Sequence, residues 1–229
     1  MQEFYSSISF CVRHAGYLFI LCLPVLTLDI ALANLVMSLN IDANMSESAV
    51  LEVISPVASQ VFILAILSLV LSVALSGGVM IAFQELTAPT STISSPYQSL
   101  LLGIKKFFPL LWANLLHSLA YGLGFIMLVF PGFYLYARLG LFPLYVMFEE
   151  KSALDSLNKS WQATEDFGTK LFILTTIFLG IQTLYSFLGS IGSVDSGLLF
   201  LISAAAVKYA TIIPLFHLYF SLYQSVNNN

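Results

Sequence analysis

Charged residues are scarce in this sequence. Only 9% of its 229 residues are Asp, Glu, Lys or Arg, whereas 59% are hydrophobic, and the mean hydropathy is +0.91. A soluble globular domain carries about 25% charged residues, so this composition excludes that class. The net charge of -4 and the pI near 5.2 also lack the basic excess that a nucleic-acid-binding surface requires. We therefore predict an integral membrane protein with no nucleic-acid partner.

Recognisable catalytic motifs are also missing. The sequence contains no His-Glu-x-x-His pair, nucleophile elbow or phosphate-binding loop. His117 and His217 have no Cys or carboxylate pattern near them that would complete a metal site, which needs at least three ligands. We predict a protein that is not an enzyme and holds no metal or cofactor. Cys11 and Cys22 both lie in or before the first apolar run, so no structural disulfide is expected.

Long apolar runs dominate the chain. About 20 apolar residues in a helix cross the roughly 30 Å hydrocarbon core of a bilayer. Their continuous apolarity favours helices over the alternating strands of a membrane barrel. We predict an all-α membrane protein with one integral domain, residues 1–229. Its six transmembrane helices are expected at about 16–39, 57–83, 107–130, 131–148, 170–190 and 197–220.

The first run has a second interpretation, because Ala31-Leu32-Ala33 has the small-x-small form of a signal-peptide cleavage site. The length of the run and Asp29 directly before the site favour a retained membrane helix. Basic residues are retained on the cytoplasmic side of membrane proteins, and all six near helix ends fall on one side of the predicted topology. We therefore predict cytoplasmic N- and C-termini. These residues are Arg13, Lys105, Lys106, Lys151, Lys159 and Lys170.

Two loops have the pattern of amphipathic helices on the membrane surface. Within residues 152–166, Leu154, Leu157 and Trp161 recur at i, i+3 and i+7, and Lys159 occupies the other side. The earlier loop has Pro96 at a helix start and an apolar pattern that continues to Ile104. Residues 4–13 form either a third surface helix or a frayed tail.

These loops indicate an internal repeat. Phe83-Gln84-Glu85 corresponds to Phe148-Glu149-Glu150, and SPYQSL at 95–100 aligns with SALDSL at 152–157. Two parallel repeats would each contain a descending helix, a surface helix and an ascending helix. The alternative is two unrelated loops whose similarity reflects composition alone.

The central third of the chain follows a known pattern. Residues 131–164, PGFYLYARLGLFPLYVMFEEKSALDSLNKSWQAT, contain a Pro-Gly pair, an apolar helix, a proline, a short acidic turn and a Ser-Trp-rich helix. With the aromatic ending LFHLYFSLYQ at 215–224, the chain resembles the YciC-type family of bacterial inner-membrane proteins. It is more distantly similar to the membrane domain of some glycerophosphodiester phosphodiesterases. The resemblance implies a six-helix inner-membrane protein connected with envelope or lipid homeostasis, and it brings no substrate or catalytic residues.

Ionisable residues inside the membrane are costly and need partners. At 1.5 Å per helical residue, Asp29 and Lys208 have nearly the same depth, which predicts an ion pair between the first and last helices. Arg138 either extends to the outer interface beside Tyr134 or points inward and binds a phosphate or carboxylate. His117 lies near mid-membrane, where a hydrogen bond between helices is expected.

Small residues and prolines predict how the helices meet. Ser68, Ser72 and Ser76 recur every fourth residue and are followed by Gly77 and Gly78, a pattern that lets helices approach closely. Kinks are expected where a proline removes a backbone hydrogen bond. These prolines are Pro24, Pro143 and Pro214.

Two functions fit this pattern. The first is an accessory or structural protein of envelope or membrane-lipid homeostasis, whose partners are the bilayer, a phospholipid or a larger envelope protein. The second is a small transporter or lipid-handling protein with one polar site formed by Asp29, Arg138 and Lys208. Convergence of these side chains with His117 around one cavity would favour transport, whereas separate pairs in tight packing would favour the structural role.

Overall fold

The computed structural model describes residues 2–41, 44–88, 93–191 and 197–227, and the described residues form helices with no strand. All described helices belong to the series α1 to α11. In chain order they are α1 Gln2–Arg13, α2 Ala15–Ser38, α3 Glu47–Ile54, α4 Ala58–Thr87, α5 Pro96–Ile104, α6 Phe107–Met127, α7 Val129–Leu139, α8 Phe142–Phe148, α9 Ala153–Ala163, α10 Gly168–Ile191 and α11 Leu198–Asn227.

Five helices are long and apolar enough to cross a membrane. They are α2, α4, α6, the segment Gly168–Gly189 of α10, and α11. Each corresponds to one predicted apolar run, at 16–39, 57–83, 107–130, 170–190 and 197–220. The prediction of an all-helical, multi-pass membrane protein is confirmed at this level for the described residues.

The remaining predicted run, 131–148, is not a single continuous helix. It is divided between α7 and α8, with a turn at Gly140 and Leu141. Pro143 lies in the first turn of α8, where its missing N–H leaves no intrahelical bond unmade. A proline expected to kink one helix therefore starts a second, shorter one.

Close contact between α4 and α5 depends on glycine. A Cβ atom on Gly103 would lie 2.2 Å from the backbone oxygen of Ala74, and one on Gly78 would lie 2.9 Å from the backbone oxygen of Ser99. Neither position has space for a side chain. The Gly77-Gly78 pair therefore allows close helix approach, as the small-residue pattern predicted.

The short helices α5 and α9 begin in the same way. The Ser95 hydroxyl accepts a hydrogen bond from the backbone N–H of Gln98, and the Ser152 hydroxyl accepts one from that of Asp155. Each serine thereby satisfies a donor that a helix N-terminus leaves unpaired. Between the same two loops, Lys106 Nζ lies 2.6 Å from Glu150 Oε1, and this hydrogen bond lowers the pKa of the exposed Glu150 carboxyl.

Residues 2–13 form a helix, α1, that packs on α11. The ring nitrogen Nδ1 of His217 lies 3.1 Å from the hydroxyl of Ser7, and the rings of Phe10 and His217 stack with their centroids 4.0 Å apart. Residues 4–13 are therefore helical rather than a frayed tail. The main hydrophobic core lies between α2, α4, α8, α10 and α11, and it includes the fully buried Phe83 and Tyr219.

Candidate functional site

Asp29 is the centre of a polar cluster that joins three membrane-spanning helices. Lys208 Nζ on α11 lies 2.7 Å from its Oδ2 atom, and the Tyr209 hydroxyl donates to the same oxygen at 2.9 Å. The Ser68 hydroxyl on α4 donates to Oδ1 at 2.7 Å. The ion pair expected from the equal depths of Asp29 and Lys208 is therefore present, and Ser68 and Tyr209 complete its hydrogen bonding.

The two charges of this pair differ in exposure. The Asp29 side chain is 19% exposed, whereas that of Lys208 is 40% exposed. The carboxylate is covered by three protein donors, while the ammonium group is bound on one side only. This arrangement holds α2, α4 and α11 together, because each charge would be costly in hydrocarbon without the other.

Arg138 lies in the last turn of α7 and is 5% exposed. Its Nη1 donates to the Tyr134 hydroxyl at 3.1 Å, which is the contact expected one helical turn away. Its Nη2 donates to the backbone oxygen of Trp161 at 2.7 Å, and the guanidinium carbon lies 4.2 Å from the centre of a Trp161 ring. Arg138 therefore points toward the end of α9 and links it to α7.

The third guanidinium nitrogen of Arg138, Nε, is buried and has no hydrogen-bond partner among the described residues. The Arg138 side chain packs against protein, and its partners among the described residues are an aromatic ring, a hydroxyl and a carbonyl.

Side chains of α9 bind the backbone at the break between α7 and α8. The backbone oxygen of Arg138 accepts hydrogen bonds from the Ser160 hydroxyl at 2.8 Å and from the Thr164 hydroxyl at 3.1 Å. The backbone N–H of Leu141 donates to the Ser160 hydroxyl at 3.1 Å. A break in a helix at membrane depth is tolerated where side chains satisfy the freed backbone groups, and α9 supplies them here.

Two sets of side chains on α9 differ in exposure. Leu157 is 9% exposed, whereas Leu154 and Trp161 are 64% and 40% exposed, and Lys159 is exposed. Small hydroxyl-bearing residues form the fully buried face, and they allow close approach to the α7–α8 break. These residues are Ser156, Ser160 and Thr164.

His117 forms a third, separate group. Its Nε2 atom lies 3.4 Å from the backbone oxygen of Tyr136, which links α6 to α7. The rings of Tyr121, Tyr136 and Phe142 surround it with centroid distances of 5.2, 4.9 and 5.1 Å. The adjoining cavity has a volume of about 40 Å³, large enough for a water molecule or two.

The polar residues that the sequence singled out therefore do not converge. Among the residues that the structure describes, the groups around Asp29 with Lys208, around Arg138 and around His117 share no side-chain hydrogen-bond partner. Within the described ranges, no three His, Cys, Asp or Glu residues are placed to hold a metal ion.

One cavity is an apolar groove of about 470 Å³ between α1, α2, α10 and α11, which the sequence did not indicate. Cys11 and Cys22, the two cysteines of the chain, both line it, and neither forms a disulfide. No sequence pattern predicts the groove, because its lining is composed of ordinary apolar residues from four helices.

The described residues thus form a helical protein with five helices long and apolar enough to cross a membrane and with three polar clusters between helices. Comparisons with models of protein families, with curated proteins and with solved structures found no match to this chain.

Proposed function

We propose that this chain is an accessory, structural protein of a bacterial inner membrane, with a role in envelope or membrane-lipid homeostasis. One observation carries the proposal. Asp29, Lys208, Arg138 and His117 lie in three clusters, and each cluster joins helices through protein partners. A transporter needs a polar path that its substrate can reach, whereas these contacts connect one helix to the next.

The break between α7 and α8 supports the same role. Ser160 and Thr164 connect α9 to this break, while Arg138 connects α7 to the end of α9. The short helix α9 is thereby fixed to the bundle, with Leu154 and Trp161 on its exposed side. A rigid bundle that presents apolar side chains on a short amphipathic helix is suited to contact with a bilayer surface or a larger envelope protein.

The proposed topology has six crossings, with both termini in the cytoplasm. Helices α7 and α8 together extend from residue 129 to residue 148, about the length that crosses a bilayer. The test is the parity of the crossings. Tags at the two termini should be accessible from the same side of sealed membrane vesicles if α7 and α8 cross together, and from opposite sides if only five helices cross.

A parallel repeat within this topology is supported by the two short helices. The aligned residues Ser95 and Ser152 are both N-caps, and Ser99 and Ser156, which also align, are both fully buried. Leu100 and Leu157 are 7% and 9% exposed at the next aligned position. We therefore propose that α4–α5–α6 and α7–α8–α9–α10 are equivalent units.

The functional test separates a structural ion pair from a transport site. In a bacterial strain that lacks the protein, the double variant Asp29→Asn with Lys208→Met should restore the permeability barrier of the envelope to detergent as well as wild type does. A protein that moves a substrate or proton through this pair would lose activity in the double variant. The disruptive variant Gly103→Val is the negative control, since it changes the α4–α5 contact and should fail to restore the barrier.

A further inference from the structure

The apolar groove between α1, α2, α10 and α11 is bordered by three helices that can cross a membrane. In a membrane, an opening between these helices would face hydrocarbon, and the apolar lining favours an apolar occupant. The lining is almost entirely aliphatic and aromatic, from Phe4 and Ile8 on α1 to Ala206 and Ala210 on α11. Such a site favours a hydrocarbon chain over any polar ligand.

The size of the groove distinguishes a lipid chain from a helix of a partner. A volume of about 470 Å³ corresponds to about one turn of a helix that is 10 Å wide with a 5.4 Å pitch. The groove is longer than that. On α2 its lining extends from Ala15 to Leu26, which is roughly 16 Å at 1.5 Å per residue. This length is about half of the 30 Å hydrocarbon core, which is the thickness of one leaflet.

A basic residue lies at one end of the groove. Val12 and Ala15 both line it, and Arg13, between them in sequence, is exposed and has no hydrogen bond or ion pair with another described residue. The guanidinium group is suited to a phosphate oxygen pair. At the opposite end, Leu26 is one helical turn from Asp29, whose cluster closes the groove at Tyr209.

We propose that this groove binds one acyl chain of a phospholipid, with the lipid phosphate beside Arg13. The chain would enter from one leaflet and lie along α2, with its terminal methyl group near Leu26 and Ala206. Cys22 is buried in the lining, and burial raises the pKa of the Cys11 thiol to about 12, consistent with an apolar environment along α1. The groove would hold this lipid whether or not the protein has the accessory role proposed above.

The first experiment locates the lipid on the wild-type protein. The protein is placed in vesicles of phosphatidylethanolamine and phosphatidylglycerol that include a phosphatidylglycerol with a photoreactive diazirine in its acyl chain. After illumination, cross-linked peptides are identified by mass spectrometry. We expect cross-links concentrated on α1, α2 and residues 206–214. Cross-links spread evenly over all membrane-exposed helices, including α6, would overturn the proposal.

The second experiment fills the groove. Ala206 and Ala210 are exposed residues of the lining, so Ala206→Trp with Ala210→Trp occupies the groove without entering the packed core. Cross-linking and phospholipid retention after detergent extraction should fall about tenfold, the effect of displacing roughly two methylene groups from an apolar site. The control is Ala65→Trp on α4, an equally exposed alanine outside the groove, which should retain lipid like wild type. Equal retention by the groove variant would contradict the proposal.

The third experiment tests the phosphate contact and the alternative occupant. Wild type should retain phosphatidylglycerol in preference to diacylglycerol with the same chains, and Arg13→Gln should lose this preference while still binding both. A preference unchanged in Arg13→Gln would refute the role of Arg13. If a second copy of the chain covered the groove, oxidation of a Cys22→Ala protein in vesicles would join two chains through Cys11, and that result would replace the lipid with a dimer contact.

Discussion

The hydroxyl of Ser160 donates a 2.8 Å hydrogen bond to the backbone oxygen of Arg138, from one short helix to the end of another. The same hydroxyl accepts a bond from the N–H of Leu141 on the far side of the helix break. The Ser160 side chain thus satisfies two backbone groups at the break, the carbonyl of Arg138 and the N–H of Leu141. Because both side chains are fully buried, the stability of the break depends on this residue and its neighbour Thr164.

Replacing Ser160 by Ala should therefore destabilise the protein. The substitution leaves the N–H of Leu141 without its partner and the carbonyl of Arg138 with one donor, a loss of about 1–3 kcal/mol for buried groups. Unfolding in a denaturing detergent, followed by circular dichroism, measures the change. The matched control is Ser225→Ala, since the exposed Ser225 donates to the backbone oxygen of Leu222 in its own helix. Equal stability of the two variants would show that the break does not need α9.

Lysine at position 138 should not be able to take over the contacts of Arg138. The Arg138 guanidinium donates hydrogen bonds to Tyr134 and to the backbone of Trp161, and it lies over the indole ring. The single ammonium group of lysine cannot make both hydrogen bonds and also stack on the ring. We expect Arg138→Lys to be less stable than wild type by about 1–3 kcal/mol, the cost of unsatisfied buried groups. The readout specific to this contact is the fluorescence of Trp161, measured with Trp112→Phe so that only one tryptophan emits. Emission that is unchanged in Arg138→Lys would contradict the stacking.

Much of the fold follows from the sequence because it depends on local composition. The apolar runs correspond to α2, α4, α6, α10 and α11, since a helix that crosses a bilayer must be apolar along about 20 residues. The Asp29–Lys208 pair is also accessible to sequence reasoning, because helical rise converts position into depth. Their partners Ser68 and Tyr209 are not, since rotation about each helix axis decides which neighbours meet.

Sequence reasoning could not predict the break after Leu139 or the hydroxyl-bearing face of α9. An average over a hydropathy window is the same for one helix of 20 residues and for two shorter ones, so the run 131–148 gives no sign of its interruption. In α9, the stripe of Leu and Trp does not show which residues contact protein. Beside a membrane these side chains can face lipid, and the small hydroxyls of Ser156 and Ser160 face protein instead.

Removing Lys208 and removing Asp29 should destabilise the protein by different amounts. Lys208→Met leaves a carboxylate without its cation on a short side chain, whereas Asp29→Asn leaves an ammonium group on a long, flexible side chain that can extend toward the membrane surface. We expect Lys208→Met to cost more, about 1–3 kcal/mol, because Ser68 and Tyr209 still donate hydrogen bonds to the carboxylate.

The double variant provides the comparison for this pair. Asp29→Asn with Lys208→Met removes both charges, so it should be more stable than Lys208→Met alone. Thermal unfolding of the four proteins in one detergent forms a double-mutant cycle. Additive effects of the two substitutions would show that the contact contributes no coupling energy.

Substitution of Gly103 tests the close contact of α4 and α5. A Cβ atom there would overlap the backbone oxygen of Ala74, and backbone cannot move aside as a flexible side chain can. Gly103→Ala should therefore destabilise the protein by about 1–3 kcal/mol or more through overpacking. The matched control is Gly122→Ala on α6, where a Cβ atom meets nothing within 4 Å. Alanine is a better helix former than glycine by about 1 kcal/mol, so the control should be neutral or stabilising. If Gly103→Ala destabilises the protein and Gly122→Ala stabilises it, the loss of stability arises from the α4–α5 contact. Stabilisation by both substitutions would mean that α5 does not pack against Ala74.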